Sequence, residues 1–303
     1  MADSSEIRPY QEYRIPVDGG DLAVLRWPAE DPDAETLVLV HGITGNALAW
    51  AGVAQAVAGR VNLLAPDLRG RAGSRGIIGP WGIAQDARDV IAVLDHAGLG
   101  RVRLVGHSLG GFVACNTARR YPERISAVLA VDGGLGFPFP AGADVDAVLN
   151  AVLGPAMRKL SMTFADTEAY LDFHRVHPAF VGNWSPQLAG YLERDALARE
   201  DGTVVSSCIG DAIRADGGEI LLEESTRDAI KQLSCPATLL YAERGMLNEE
   251  QALYDDSRLA LAQLPAGVEP VFVPGTNHYT IVGPGPGADA VCSHILDKAA
   301  PPE

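Results

Sequence analysis

The chain has 303 residues and a formal net charge of −15 at pH 7, with 47% hydrophobic and 21% charged residues. This length and composition are typical of a globular protein with one large domain, or with a core domain that carries a sizeable insertion. The negative charge disfavours nucleic acid and anionic membrane surfaces as partners, and it favours solubility.

Targeting and metal-binding signals are weak throughout the sequence. The first residues have no apolar core of the kind that a signal peptide needs, and no uninterrupted apolar run approaches the roughly 18 residues of a membrane span. The four cysteines are scattered without a C-x-x-C pair, a pattern that favours reduced thiols over a disulfide framework or a zinc site. We therefore expect a cytoplasmic protein with no bound metal and no membrane partner, and the sequence leaves its oligomeric state open.

Predicted strands and helices alternate along the first 134 residues. The first two strands, 10–17 and 22–27, flank Asp18-Gly19-Gly20, which is a hairpin turn signal. The following segments are predicted as strand 36–40, helix 47–59, strand 61–65, helix 83–96, strand 102–105, helix 111–120 and strand 125–131. Alternation of buried strands with helices predicts a mostly parallel, doubly wound α/β sheet.

This alternation stops after Asp132 and resumes near residue 234. The stretch between contains only helix-like segments, at 145–153, 167–175 and 187–199. Beyond it we predict strand 237–241, helix 249–263, strand 268–273 and helix 288–298, which brings the sheet to eight strands. The sequence thus predicts a core made of residues 1–134 and 234–303 and an inserted helical cap made of residues 135–233.

The most informative motif is the G-x-S-x-G pattern of Gly106 to Gly110, which lies between a predicted strand and a predicted helix. In this context the pattern predicts a nucleophile elbow, a sharp turn at residues 106–110 that lifts the hydroxyl of Ser108 clear of the sheet, and the flanking glycines leave room for that turn. A serine hydroxyl becomes a nucleophile when a base takes its proton, a third group holds the base, and donors face the developing oxyanion.

Together with the elbow, three further motifs make the chain resemble the α/β-hydrolase fold family over residues 10–133 and 234–299. His41-Gly42, after the third predicted strand, is similar to the family's oxyanion loop. The segment 67–74 resembles the family's D-x-R-G-x-G-x-S turn, with Arg71-Ala72 in place of the common His-Gly. The segment 273–280 is similar to the loop that carries the family's catalytic histidine.

The resemblance implies that His278 is the general base. This residue follows a predicted strand, lies on a polar loop and comes after Ser108 in the chain, as the family's order requires. The other six histidines lie in predicted helices, within other motifs or in the predicted cap: His96, His294, His41, His107, His174 and His177.

The acid of the triad has two candidates. The family usually places an Asp in the loop after the strand at 237–241, and the corresponding position here holds Gly245, with Glu243 nearby. A minority of the family carries the acid after the strand that follows the elbow helix, where this chain has Asp132. We favour Asp132, which would accept the Nδ1–H of His278 and stabilise the imidazolium. Glu243, expected two residues beyond its strand, remains the alternative.

The resemblance also implies an oxyanion hole made of backbone N–H groups. One comes from Leu109, the residue after the nucleophile, and the other comes from Ile43. Because position 108 is Ser and not Asp, acyl chemistry through a tetrahedral intermediate is expected. No dinucleotide or Walker motif is present, so no cofactor is implied.

Aromatic and apolar residues of the predicted cap suggest a small-molecule substrate with an apolar or aromatic acyl part. Phe137, Trp184 and His177 are the candidate substrate contacts. The basic residues Arg158, Lys159 and Arg175 are available to recognise a carboxylate, although solvated helix faces are the simpler expectation for them.

The sequence therefore predicts a cofactor-independent serine hydrolase that cleaves a carboxylic ester or a lactone. A C–C bond hydrolase of vinylogous diketones is the nearest alternative, and Gly245 weighs against it because such enzymes usually carry the acid in that later loop. A non-hydrolytic lyase, a cofactor-free dioxygenase and a ligand receptor on the same fold also remain open.

Overall fold

The structure is a computed structural model and describes residues 7–136, 142 and 144–297. Within these ranges the strands are β1 (Gln11–Val17), β2 (Gly20–Trp27), β3 (Thr36–Val40), β4 (Asn62–Pro66), β5 (Val102–His107), β6 (Ile125–Val131), β7 (Ala196–Ala198), β8 (Val204–Ser206), β9 (Ala237–Arg244) and β10 (Val268–Asn277).

The α-helices are α1 (Ala51–Val57), α2 (Ile83–His96), α3 (Leu109–Arg120), α4 (Val145–Leu153), α5 (Pro155–Lys159), α6 (Thr167–Arg175), α7 (Pro186–Asp195), α8 (Gly210–Leu222), α9 (Glu224–Arg227), α10 (Asp256–Ala262) and α11 (Pro286–Asp297). Short 3₁₀ helices cover Ala47–Trp50, Ala72–Ser74 and Ala229–Gln232.

Eight strands form one sheet in the order β1-β2-β4-β3-β5-β6-β9-β10. β2 pairs antiparallel with β1 and with β4, and every other neighbouring pair is parallel. The predicted mostly parallel, eight-stranded sheet is therefore confirmed.

The sheet is buried on both faces because its central strands are mostly apolar on both sides. In β3, Val38 and Val40 point to one face and Leu37 and Leu39 to the other. The first face packs on α2 and α3, and the second packs on α1 and α11. A parallel sheet needs cover of this kind, because its crossover helices lie against both faces.

The carboxyl ends of β5, β6, β9 and β10 meet at one edge of the sheet, because these strands are parallel neighbours. Ser108 follows β5, and Asp132 follows β6. His278 follows β10 at the same edge. In open α/β sheets this edge is where ligands bind.

Two predicted helices differ most clearly from the structure. The helix predicted at 187–199 ends at Asp195, and β7 and β8 pair antiparallel after it. The backbone carbonyl of Asp195 accepts the Ser207 N–H at 2.7 Å and closes this hairpin. The helix predicted at 249–263 begins only at Asp256, because the side chain of Asp255 accepts the Arg258 N–H and caps it there.

The segment between β6 and β9 is called the inserted segment (residues 135–233). The structure describes its residues 135–136, 142 and 144–233. It has a small apolar cluster of its own, formed by Phe164, Tyr170, Leu171, Leu192 and Val204. Helix α7 lies against the 3₁₀ helix Ala47–Trp50, and α8 lies against α3. The division of the chain into a core and a cap stays a prediction.

A truncation in the central strand tests the assignment of the core. Leu104 of β5 is fully buried, so Leu104→Ala is expected to lower the free energy of unfolding by about 2–5 kcal/mol, through lost burial and a residual cavity. Chemical denaturation measures this change. Leu261→Ala is the matched control, because Leu261 is 81% exposed and its truncation is expected to change stability by less than about 0.5 kcal/mol. Equal effects at the two positions would contradict the assignment.

Candidate active site

Ser108 lies at a strained turn between β5 and α3. Its backbone has φ 55° and ψ −119°, which is a conformation that L-residues rarely adopt. A Cβ on Gly106 would lie 2.0 Å from the carbonyl oxygen of Gly110, and a Cβ on Gly110 would lie 1.9 Å from that of Val40. Only glycine fits at both positions, which explains the G-x-S-x-G pattern physically.

The structure brings Ser108, His278 and Asp132 together in one hydrogen-bonded chain. The Oγ of Ser108 lies 3.1 Å from Nε2 of His278, and Nδ1 of the same ring lies 2.6 Å from Oδ2 of Asp132. His278 and Asp132 are 3% and 1% exposed. The arrangement joins a hydroxyl, an imidazole and a carboxylate in the order that activates a serine.

Backbone contacts hold Asp132 in place at the end of β6. Its N–H donates to the carbonyl of Leu240 at 2.7 Å, and its Oδ1 accepts the Ala242 N–H at 3.1 Å. With Oδ1 held by the neighbouring strand, Oδ2 faces His278. A carboxylate there favours the tautomer with the proton on Nδ1, so that the lone pair of Nε2 faces Ser108.

Glu243 lies away from the His278 ring. It is part of β9, so the expectation that it stands beyond its strand is wrong. Its Oε2 accepts the backbone N–H of Gly275 at 2.7 Å, in an exposed position. The difference arises because β9 continues to Arg244 and pairs there with Asn277 of β10. The structure thus brings Asp132, and not Glu243, to the histidine.

The backbone N–H groups of Ile43 and Leu109 are both available beside Ser108. Within the described residues neither group donates to a protein acceptor. Ile43 lines the cavities next to Ser108, and Leu109 is the first residue of α3. A helix N-terminus carries a partial positive charge, so this location favours an oxyanion.

Two further histidines, His41 and His107, lie near Ser108 and His278 as neutral, buried groups. His41 Nε2 accepts the Leu68 N–H at 2.9 Å, and its Nδ1–H donates to the Gly42 carbonyl at 2.7 Å. His107 Nε2–H donates to the carbonyl of His278 at 2.7 Å. Desolvation by burial lowers the pKa of each to about 3. They hold the backbone of the two loops that carry the site.

Cavities open on two sides of Ser108. One measures about 330 Å³ and the other about 490 Å³. Ile43, Ser108, Met246 and His278 line both of them. The larger cavity is walled mostly by apolar side chains, among them Phe112, Leu135, Leu149, Ile220, Leu221 and Leu253. Ser108 therefore lies where the two cavities meet.

The predicted substrate contacts have different outcomes. Trp184 lines the 330 Å³ cavity, and the guanidinium of Arg175 lies 5.0 Å from its ring centroid. His177 lines a smaller chamber of about 30 Å³ instead. Phe137 lies outside the described residues.

Lys159 is the clearest departure from expectation. A solvated helix face was expected, but the side chain is buried and its Nζ lies 2.7 Å from Asp195 Oδ2. Nearby Asp195 raises the pKa of this ammonium well above its usual value, against the effect of burial. No local pattern identifies such a residue, because its partners are distant in the chain.

Neither a metal centre nor a membrane helix is found in the described ranges. Across residues 7–136, 142 and 144–297, no group of three or more His, Cys, Asp or Glu side chains could hold a metal ion. None of the helices in those ranges has the length and apolar character needed to cross a bilayer. All four cysteines are free and buried.

Comparison with known proteins gives a family and several relatives. A family model described as the alpha/beta hydrolase fold matches residues 35–282. Lipase LipV of Mycobacterium tuberculosis is 32% identical over 212 residues, which cover 61% of this chain and 77% of that protein. Uncharacterised proteins of Mycobacterium bovis and Mycobacterium tuberculosis are 38% identical over 101 residues, so the match spans 32% of this chain and only 29% of theirs.

A solved structure supports the same assignment at the level of the fold. The crystal structure of E-2-(acetamidomethylene)succinate hydrolase superposes with a TM-score of 0.76 at 21% sequence identity. The superposition covers 95% of this chain and 100% of that chain. At this identity the likeness concerns the fold alone.

Substitution of the two candidate acids tests which one serves the histidine. Asp132→Asn is expected to lower kcat by about 10³- to 10⁴-fold on any ester that the protein hydrolyses, because the neutral amide no longer stabilises the imidazolium or its tautomer. Glu243→Gln is the matched control and is expected to stay within about twofold of wild type, since Glu243 contacts Gly275 and not the ring. Full activity of Asp132→Asn would transfer the role to Glu243.

Proposed function

Because the chain belongs to the α/β-hydrolase family, we propose that it is a serine hydrolase that cleaves a carboxylic ester or a lactone through an acyl-enzyme. The observation that carries the proposal is the Ser108–His278–Asp132 chain of hydrogen bonds at the junction of two cavities. The named lipase relative supports hydrolysis of an ester.

The proposed reaction begins with attack of Ser108 Oγ on the substrate carbonyl carbon. His278 Nε2 takes the hydroxyl proton as the new C–O bond forms, and Asp132 stabilises the resulting imidazolium. The carbonyl oxygen becomes an oxyanion that faces the N–H groups of Ile43 and Leu109. Such donors typically contribute about 10²- to 10³-fold each to kcat.

Collapse of the tetrahedral intermediate then breaks the bond to the leaving oxygen. His278 returns its proton to that oxygen, and the alcohol leaves one chamber while the acyl group stays on Ser108. Water then gives a proton to His278 and attacks the acyl carbon, which forms a second tetrahedral intermediate. Its collapse breaks the bond to Ser108 Oγ, which takes the proton back from His278 as the acid is released. Each step uses only groups of this chain, the substrate and water.

The cavities favour a substrate with two sizeable parts. A carbonyl bound at Ser108 would direct one part into the 330 Å³ cavity and the other into the 490 Å³ cavity. The apolar walls of the larger cavity favour an aliphatic or aromatic group, since burial of apolar surface contributes roughly 25 cal/mol per Å².

Turnover of a panel of p-nitrophenyl esters and aromatic lactones, from short to long acyl chains, tests the proposal. Wild type is expected to hydrolyse members of the panel, and Ser108→Ala is expected to lose at least about 10⁴-fold in kcat. Ser293→Ala is the matched control, because that serine is exposed on α11 and donates only to Asp297. If folded wild type turned over no member of the panel, the ester proposal would be wrong, and the C–C hydrolase, lyase and receptor alternatives would take its place.

A second experiment tests the role of the larger cavity. Ile220→Trp adds a ring to its wall and is expected to lower kcat/KM for the longest or bulkiest esters by about tenfold or more, while the shortest ester changes by less than about threefold. The ratio of the two kcat/KM values measures the effect. An equal loss for short and long esters would show that the cavity does not hold part of the substrate.

A further inference from the structure

Three consecutive carbonyls of the oxyanion loop (residues 41–46) accept hydrogen bonds from buried side chains. The His41 ring donates to the Gly42 carbonyl at 2.7 Å, as described above. Arg71 Nε donates to the Ile43 carbonyl at 3.1 Å, and Lys159 Nζ donates to the Thr44 carbonyl at 3.2 Å. Two of the three donors are therefore buried cations.

These contacts reach the Ile43 N–H through planar peptide groups. In a trans peptide the C=O and the following N–H point in opposite directions, so a held carbonyl also fixes the direction of the next N–H. Lys159 holds the Thr44–Gly45 peptide, and the Gly45 N–H of that peptide donates to the Gly42 carbonyl at 3.0 Å. The Gly42 carbonyl belongs to the peptide that carries the Ile43 N–H. Arg71 holds the Ile43–Thr44 peptide, which lies between the other two peptides.

Each cation is held in turn by a carboxylate of the inserted segment. Arg71 pairs with Asp216 of α8 at 2.5 Å, and Lys159 pairs with Asp195 of α7 at 2.7 Å. Asp216 also accepts the Gly82 N–H at 3.0 Å, while Asp195 accepts hydrogen bonds from Tyr170, Ser206 and Ser207. Each carboxylate thus accepts at least one hydrogen bond besides that from its cation.

Stability alone gives a weak reason for these buried ion pairs. Desolvation of two charges usually offsets their attraction, and an apolar pair of the same volume is often as stable. What an apolar pair lacks is the remaining N–H groups, which here reach the Ile43 and Thr44 carbonyls. The arrangement is therefore suited to positioning a backbone segment.

We propose that Arg71 and Lys159 are positioning residues, held by Asp216 and Asp195 of the inserted segment, that aim the Ile43 N–H at the oxyanion. The inference rests on the proposed function, because it assigns a task within that reaction. It extends the oxyanion hole from two backbone groups to a network that joins the inserted segment to the site. A loss of this network would weaken the transition state more than the ground state.

Double substitutions that remove both charges of a pair test the inference, because neither member of the pair is then left as a buried charge without its partner. The two test variants are Arg71→Met with Asp216→Asn, and Lys159→Met with Asp195→Asn. The matched control is Arg69→Met with Asp89→Asn. This pair is equally buried at 2.7 Å, and Arg69 lies in the same turn as Arg71 but donates to the Pro80 and Asp18 carbonyls, not to the oxyanion loop. All three are compared with wild type in melting temperature, kcat and KM on the best ester of the panel.

Each test pair is expected to lower kcat by about 10- to 100-fold with KM within about threefold, because misplacement of a catalytic group by about 1 Å costs up to 10²-fold. The control pair is expected to keep kcat within about threefold at a similar change in melting temperature. A trifluoromethyl ketone, which forms a tetrahedral oxyanion with a catalytic serine, gives the second readout. Its inhibition constant is expected to rise by the same factor as kcat/KM falls.

Other results would overturn the inference. Unchanged kcat in both test pairs would do so, and so would an equal loss in the control pair, which would indicate a general effect of removing buried charge. Should a test pair fail to fold, Arg71→Lys decides, because it keeps the charge beside Asp216 but lacks the fork that reaches both Asp216 and Ile43. Wild-type kcat in that variant would contradict the role of Arg71. Absence of Ser108-dependent turnover in wild type would instead overturn the proposed function itself.

Discussion

Around Ser108, backbone packs directly on backbone with no side chain between. The Cβ positions of Gly106 and Gly110 are filled by neighbouring carbonyl groups, and a Cβ on Gly133 would lie 2.1 Å from the carbonyl oxygen of Ser108. This packing presses the turn after β5 against the ends of β3 and β6. It keeps Ser108 in its strained conformation and places Asp132 beside the same turn. The distances within the triad depend on this contact.

A second constraint links the inserted segment to the rest of the chain through buried charge. Arg194 of α7 pairs with Asp67 at 2.6 Å, and Asp67 also accepts the N–H groups of Ala47 and Gly73. Together with the pairs of Arg71 and Lys159, this contact surrounds the oxyanion loop with fixed donors and acceptors. Removal of one partner from such a pair leaves an uncompensated charge, typically at a cost of about 3–5 kcal/mol. These buried ion pairs therefore join the inserted segment to the loops around Ser108.

Much of the fold could be predicted because its signals are local. The bounds of α2 and β6 agree with their predictions, since an amphipathic helix and a buried strand each carry their own periodicity. The predicted start of the helix at residue 249 was wrong, because the helix begins only after the cap at Asp255. The hairpin of β7 and β8 was missed, since strands of three residues carry almost no periodic signal.

By itself the sequence determined the alternation of strands and helices, the elbow at Ser108 and the order of Ser108 and His278 along the chain. These follow from short-range patterns, in which residues close together in the sequence determine the local conformation. Only the tertiary structure showed that Asp132, and not Glu243, contacts His278, because this depends on where β9 ends and on which carboxylate the adjacent strand holds. It alone also showed that Lys159 is buried against Thr44, a contact between residues 115 positions apart. Contacts at such separations arise from the packing of whole elements, which no local pattern encodes.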